Sequence, residues 1–577
     1  MGTADLYYPL PSATFQLGRD QVLSLTCGNE LLPMDETTTR VFNACSGFRS
    51  LDEHASVAWH AGAATHPDAL RTAFATLLGS GLLCKATGPV ASDAGAGEAP
   101  GEVTTVAFVT ADRPHMLARG LRSAIEHVER FGHRPRFIVI DGSHEFQEAT
   151  RTVTRQASRT TECTVEYVDR DAARGLSKRF QGTGAARDVI EAAITPGAIG
   201  SSRNVALLLT AGERVLMIDD DILCDTWRPP SVSADVRVAG HTDVRRWRFF
   251  ESRDSALAAV DRAPTDLVAA HSALLGRSLH RVVGSSVSPD LHGACGHLIS
   301  GLADENETVR VTMAGLAGDA ARYCPYRLLF VNGSLRELFC RDPASLAQAL
   351  KFREVHSIVD RPTVVHNPVC ASYCMGVAND RLMPPFMPLG RAEDTVFGAL
   401  LSFADERALF AHVPCGVIHD SDRPSSYGSA AMPSAVQTRV SELLLMMLAR
   451  PPHPADGEAM PDRLRRFGED LCHVGEMNRK TFIPFLMTQQ LQARCSQLTA
   501  LESAFEKVPG CPIEVLTAVD TYRRVFTEHA MDPTFYLPLE FRTAGGIEAG
   551  FDAMQAFLRQ FGALIRVWPE VWHAAAE

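Results

Sequence analysis

Arg214-Val215-Leu216-Met217-Ile218-Asp219-Asp220-Asp221 is an apolar run that ends in three consecutive carboxylates. A stretch of that length and composition reads as a buried strand. A buried strand that releases acids at its carboxyl end presents the clustered oxygen ligands that magnesium and manganese prefer. An acidic surface turn or a helix N-cap would use the same residue types, so the trio alone leaves both readings open. The approach to the strand is informative too. Gly200-Ser201-Ser202-Arg203-Asn204 is followed by an Ala/Leu-rich helical stretch, then Ala211-Gly212-Glu213, then the strand.

Working outward, Thr105-Val106-Ala107-Phe108-Val109 is a strand of the kind buried on both faces, followed by Thr110-Ala111-Asp112. After Pro114, the residues Leu117, Leu121, Ala124, Ile125 and Val128 recur at helical spacing. Arg136-Phe137-Ile138-Val139-Ile140 is the next strand and ends at Asp141-Gly142-Ser143; Cys163 to Val168 is another. Strands alternating with helices predict an α/β fold, a mostly parallel sheet flanked by helices with ligands at the carboxyl strand ends. That edge collects Thr110, Asp112, Asp141, the Arg203-Asn204 helix opening and the aspartate trio.

In order and spacing, these segments resemble the nucleotide-sugar half of a family 2-like glycosyltransferase with the GT-A fold. The resemblance implies a nucleotide-sugar donor, with uridine diphosphate as its nucleotide, bound by Thr110, Asp112, Asp141, Arg203, Asn204, Asp219 and Asp220. Asp141 would contact the base, and Arg203 and Asn204 the base and ribose. It also implies a Mn2+ or Mg2+ cofactor on Asp219, Asp221 and His419. The histidine closes Val413-Pro414-Cys415-Gly416-Val417-Ile418-His419-Asp420, an apolar strand whose position matches that of a metal ligand in related enzymes. Pro388-Leu389-Gly390-Arg391-Ala392-Glu393-Asp394-Thr395 resembles the family's Glu-Asp segment. Asp394 would then be the catalytic base that takes the acceptor's proton, with Glu393 orienting the acceptor or the base. First-turn acids favoured by a helix dipole are the competing reading of that pair. His292-Gly293-Ala294-Cys295-Gly296-His297 lacks a fourth zinc ligand and is expected to form a glycine-rich loop on the acceptor side. The long stretch from 231 to 365 is expected to hold acceptor-specific structure.

The flanking regions differ in character. Residues 1–85 predict a small domain of a strand pair, three helices and a closing strand. Its strands are Ala13 to Leu17 and Gln21 to Leu25, and Ser50-Leu51-Asp52-Glu53 is a capping box. Together with Pro33-Met34-Asp35 and Leu77 to Leu83, this order resembles the winged-helix peptide chaperone of pyrroloquinoline quinone biosynthesis, implying a peptide partner. A purely structural appendage is the competing reading, and the acceptor stays open between a peptide, a glycan and a small molecule. Residues 86–102, rich in Gly, Ala, Pro and Ser, read as a linker. Residues 103–428 are assigned to the sheet domain and 429–577 to a helical region.

The 577-residue chain has 46% hydrophobic and 21% charged residues and a net charge of -12, which suits a globular protein and argues against nucleic-acid binding. No apolar run nears the roughly 20 residues that cross a bilayer. The opening Met1-Gly2-Thr3-Ala4-Asp5-Leu6 lacks a signal-peptide pattern, and the 14 cysteines are scattered, so a cytoplasmic location is expected. Two rival functions use the same elements: nucleotidyl transfer, whose Gly/Arg-rich loop is missing from Thr110-Ala111-Asp112-Arg113-Pro114, and a non-enzymatic leader-peptide carrier.

Overall fold

The computed structural model describes residues 7–9, 12–16, 22–26, 31–45, 49–85, 101–180, 184, 186–240, 243–294, 298, 301–302, 306–322, 324–331, 333–428, 437–449, 458–505, 511–542 and 545–577. Most of the anticipated linker, the turn at Gly18 and the residues Cys295 and His297 lie outside these.

The architecture is α/β: a mixed sheet covered by helices, a small N-terminal unit and a largely helical C-terminal region. Four parallel strands make one end of the sheet: β1 (Thr105–Thr110), β2 (Arg136–Asp141), β3 (Val165–Val168) and β4 (Glu213–Asp219). Beyond β4, β5 (Ile222–Trp227), β6 (Thr308–Asp319), β7 (Cys374–Asn379) and β8 (Ala408–His419) extend it. β7 runs antiparallel to both β4 and β6, whereas β6 and β8 are parallel. This inserted antiparallel strand, with further antiparallel pairs such as β5 with β8, makes the sheet mixed, and nothing local in its residues marks its direction.

Period-two alternation sorts the strands onto two cores. Ala107 and Val109 of β1 join Val215 and Met217 of β4 on one face. Val106 and Phe108 join Leu216 and Ile218 on the other. The two-sided burial explains why these strands read as continuous apolar runs. Helix α1 (Pro114–Arg130) begins on a proline whose missing N–H costs nothing in the first turn, and lays Leu117, Leu121, Ala124, Ile125 and Val128 on the second core. The opposite face is covered partly by the long C-terminal helix α5 (Gly546–Ala576), which contributes Phe551, Phe561, Trp568 and Trp572. Two indole N–H groups tie it to the sheet side: Trp568 Nε1 donates to the Met383 carbonyl at 2.6 Å and Trp572 Nε1 to Asn379 Oδ1 at 2.8 Å.

In the N-terminal unit, Ser12–Gln16 and Val22–Thr26 pair antiparallel as anticipated, and Leu31–Met34 adds a third strand. Helices Glu36–Ala44, Leu51–His60 and Pro67–Gly79 follow, the second opened by the Ser50/Glu53 capping box. The closing strand Leu83–Lys85 pairs with Tyr7–Pro9. Its buried residues, from Met34 to Leu83, form a core of their own. Among the described residues no helix is long and apolar enough to cross a membrane.

Candidate active site at the carboxyl ends of the strands

Parallel pairing brings distant residues to one edge. Thr110 stands opposite Asp141 in the β1–β2 register, and Val109 opposite Asp219 in β1–β4. Because β7 is antiparallel to β4, its beginning reaches the same edge, where the Asp219 N–H donates to the Tyr373 carbonyl at 3.0 Å. β5 pairs with the end of β8, setting Ile222 opposite His419. Thus the trio, Ser372-Tyr373 and His419 meet through sheet register.

Arg203 links this edge to the Glu-Asp helix. It lies in α3 (Ile199–Leu209) and is 1% exposed. One guanidinium nitrogen donates to Asp219 Oδ1 at 2.6 Å and the other to Glu393, the first residue of α4 (Glu393–Ala404). Gly200 lets α3 come close enough: a Cβ there would fall 1.9 Å from the Met387 carbonyl oxygen. Burial pushes Glu393 up to about 7 despite Arg203, with the neighbouring Asp394 charge adding to the rise. Burial likewise raises the Asp219 carboxyl against the pull of Arg203.

Asp394 is only partly buried and firmly oriented. Its Oδ2 accepts from the Ser372 N–H at 3.2 Å and hydroxyl at 3.0 Å, and its Oδ1 from the Thr395 N–H at 2.8 Å. Asp219, Glu393, Asp394 and Ser372 line one cavity of about 280 Å³.

The other two acids of the trio face elsewhere. Asp220 is wholly buried; it accepts from the Thr110 hydroxyl at 2.6 Å and pairs with Arg113 at 2.5 Å, yet burial still lifts it to about 7. Asp221 pairs with Arg113 at 2.8 Å and with His419 Nε2 at 3.2 Å. Burial opposes the Asp221 charge, but those two cations overrule it and hold the carboxyl far below its usual range. His419 Nδ1 donates to the Asp319 carbonyl at 2.6 Å, so Nε2 is the nitrogen turned to Asp221. Burial lowers the imidazole's basicity, Asp221 raises it, and the balance is upward.

Among the described residues, no three His, Cys, Asp or Glu side chains already converge as a cation cage. The donor chemistry nevertheless fits an open site. Asp221 and His419 converge with the correct imidazole nitrogen, and Asp219 feels both charges. One or two carboxylates plus ligand oxygens suffice for magnesium. His292 stands in the strand Asp290–Gly293.

Other expected donor contacts are engaged within the protein. Asp112, held at φ 55°, accepts from the backbone N–H groups of His144, Glu145 and Phe146 at 2.8–3.1 Å, stapling the loop after β2. Asp141 accepts from Tyr167 and the Ser143 N–H at 2.6 and 2.8 Å. Asn204 clips two segments together, donating to Ala193 and Phe386 carbonyls and accepting from the Phe386 N–H at 2.7 Å. Arg113 and Ser372 escaped the sequence reading; an arginine before a proline and a lone serine carry no pattern. The cavity also takes in Arg245, Trp247 and Arg322, from the stretch expected to be acceptor-specific.

Compared with known proteins, the chain matches no family model and no curated protein. Among solved structures, the crystal structure of S. aureus TarS residues 1–349 aligns with 74% of this chain and 90% of its own, at 13% identity and a TM-score of 0.25, a likeness too loose to carry an argument.

Proposed function

We propose that this chain is an inverting, divalent-metal-dependent glycosyltransferase that moves a sugar from a nucleoside diphosphate donor, a uridine diphosphate sugar by family resemblance. The observation that carries the reading is the Arg203 bridge, which joins a strand-end carboxylate to a Glu-Asp helix that begins 190 residues beyond Arg203, within one cavity. In this reading Asp221 and His419, with Asp219, would hold Mn2+ or Mg2+, whose bound charge offsets that of the departing diphosphate.

The remaining roles belong to side chains of the protein. Asp394 accepts the proton lost by the attacking acceptor atom, and Ser372 keeps the carboxylate turned into the cavity. Glu393 and Arg203 position that helix rather than exchange protons with the acceptor. Asp112 and Asp141 order the loop after β2, and Asn204 ties its helix to the Ala193 and Phe386 backbone. The N-terminal unit is proposed to present a peptide acceptor; tight binding to duplex DNA would overturn that part.

The test is incubation of the purified chain with manganese and a panel of nucleotide sugars. Slow release of nucleoside diphosphate from one donor supports the assignment. Release of pyrophosphate from a nucleoside triphosphate and a sugar phosphate would replace it with nucleotidyl transfer.

A further inference from the structure

The cavity that holds Asp219, Glu393 and Asp394 also contains three arginines that the catalytic reading does not use, Arg245, Arg322 and Arg391. Arg322 lies over the Trp247 ring, 5.2 Å from its centroid. Arg245 lies 4.6 Å from the centroid of the same ring, but its charge is already taken by Asp243, which it grips through two contacts of 2.9 Å. Asp243 also accepts from the Trp247 indole at 3.1 Å, which fixes the ring. Arg322 has no hydrogen bond or ion pair among the described residues, and neither has Arg391, which lines the cavity beside Asp394.

The backbone beside each arginine is unusual. Ala321 (φ 56°) and Ala392 (φ 63°) hold the left-handed conformation, and the third such non-glycine residue described is Asp112. Left-handed alanine has no side-chain hydrogen bond to offset its steric cost, and strain of this kind concentrates where a neighbour is being aimed. Both alanines adjoin the unpaired arginines, and both line the cavity. Burial disfavours the Arg322 cation, and the Arg245 charge adds to this against the favourable pull of Tyr427 and Asp243, so an arriving anion would relieve a net electrostatic cost.

We infer that Arg322 and Arg391 form an anion subsite in the Asp394 chamber, and that the acceptor carries a phosphate or carboxylate group close to the atom that is glycosylated. Planar guanidinium forks suit both groups. The chamber meets the proposed metal site only at Asp219, since Asp221 and His419 lie outside its lining. The inference rests on the glycosyltransferase reading for the word acceptor, though the anion site itself does not.

Isothermal titration of the full chain with inorganic phosphate, with acetate and with uridine diphosphate plus manganese tests it. Phosphate or acetate should bind, and the stronger of the two identifies the acceptor's group. Arg322→Gln and the more exposed Arg391→Gln should each weaken that binding about tenfold, as expected for loss of a charge-assisted hydrogen bond. Uridine diphosphate affinity should be unchanged in both. Absence of anion binding, anion binding indifferent to both substitutions, or an equal loss of uridine diphosphate affinity would overturn the inference. Failure of wild-type protein to bind uridine diphosphate at all would instead count against the glycosyltransferase reading, while the anion titrations still report on the subsite.

Discussion

Replacing Arg203 with methionine removes the bridge between the two halves of the site while keeping much of the side chain's volume. The residue is 1% exposed, and its loss leaves the buried Glu393 and the partly buried Asp219 carboxylate without their cation. Deleting one partner of a buried ion pair costs about 3–5 kcal/mol. At about 2.1 cal/mol/K of unfolding entropy per residue, a 577-residue chain melting as one unit would lose about 2–4 °C. The loss should depend on pH, and its sign follows from Glu393. Burial raises that carboxyl to about 7, above its ordinary 4.5. A raised carboxyl stabilises the fold fully below its unfolded value, and this contribution fades as pH rises through the folded value. Without Arg203 the carboxyl moves higher still. At about pH 5 Glu393 is neutral in both proteins and needs no counter-charge, so the penalty shrinks; at about pH 8 it is full. Differential scanning calorimetry at both pH values reads this directly. A melting gap that stays constant, or widens toward acid, would refute the reasoning.

Four further outcomes are expected. Asp394→Asn should lower turnover by about 10²–10⁴-fold, the usual worth of a general base, while calorimetric donor binding stays intact; equal loss of donor binding would move Asp394 out of that role. A chelator should abolish turnover, and His419→Ala should weaken manganese binding, followed by electron paramagnetic resonance, at least about tenfold; unchanged manganese affinity would remove His419 from the ligand set. Asn204→Ala should destabilise the fold by about 2 kcal/mol or more, since it strands buried backbone groups of Phe386 and Ala193, and should leave uridine diphosphate affinity unchanged. Weaker nucleotide binding with unaltered stability would return Asn204 to a ribose contact.

Much of the fold was legible because it is written in local periodicity. The runs at Thr105, Arg136 and Arg214 are apolar at every position because both sheet faces are covered, and the stripe from Leu117 to Val128 has the spacing of a helix with one buried face. Such patterns need only neighbouring residues, so the strands, their acidic ends and the Glu-Asp helix could be read without coordinates. The partners of those acids could not. Arg203 meets Glu393 across 190 residues, and His115, Arg119 and Arg253 reach Asp422 and Asp420 across gaps of 307, 301 and 167. Which carboxylate stays open and which is spent on an internal partner depends on sheet register and close backbone approach, as at Gly200 against Met387. By its chemistry alone, the sequence placed acids and an imidazole at strand ends; only the tertiary structure gave Asp220 to Thr110 and Arg113, and left Asp394 facing a cavity with two unpaired arginines. The physical reason is that side-chain type is a local property, whereas burial and charge pairing are sums over residues that only folding brings together.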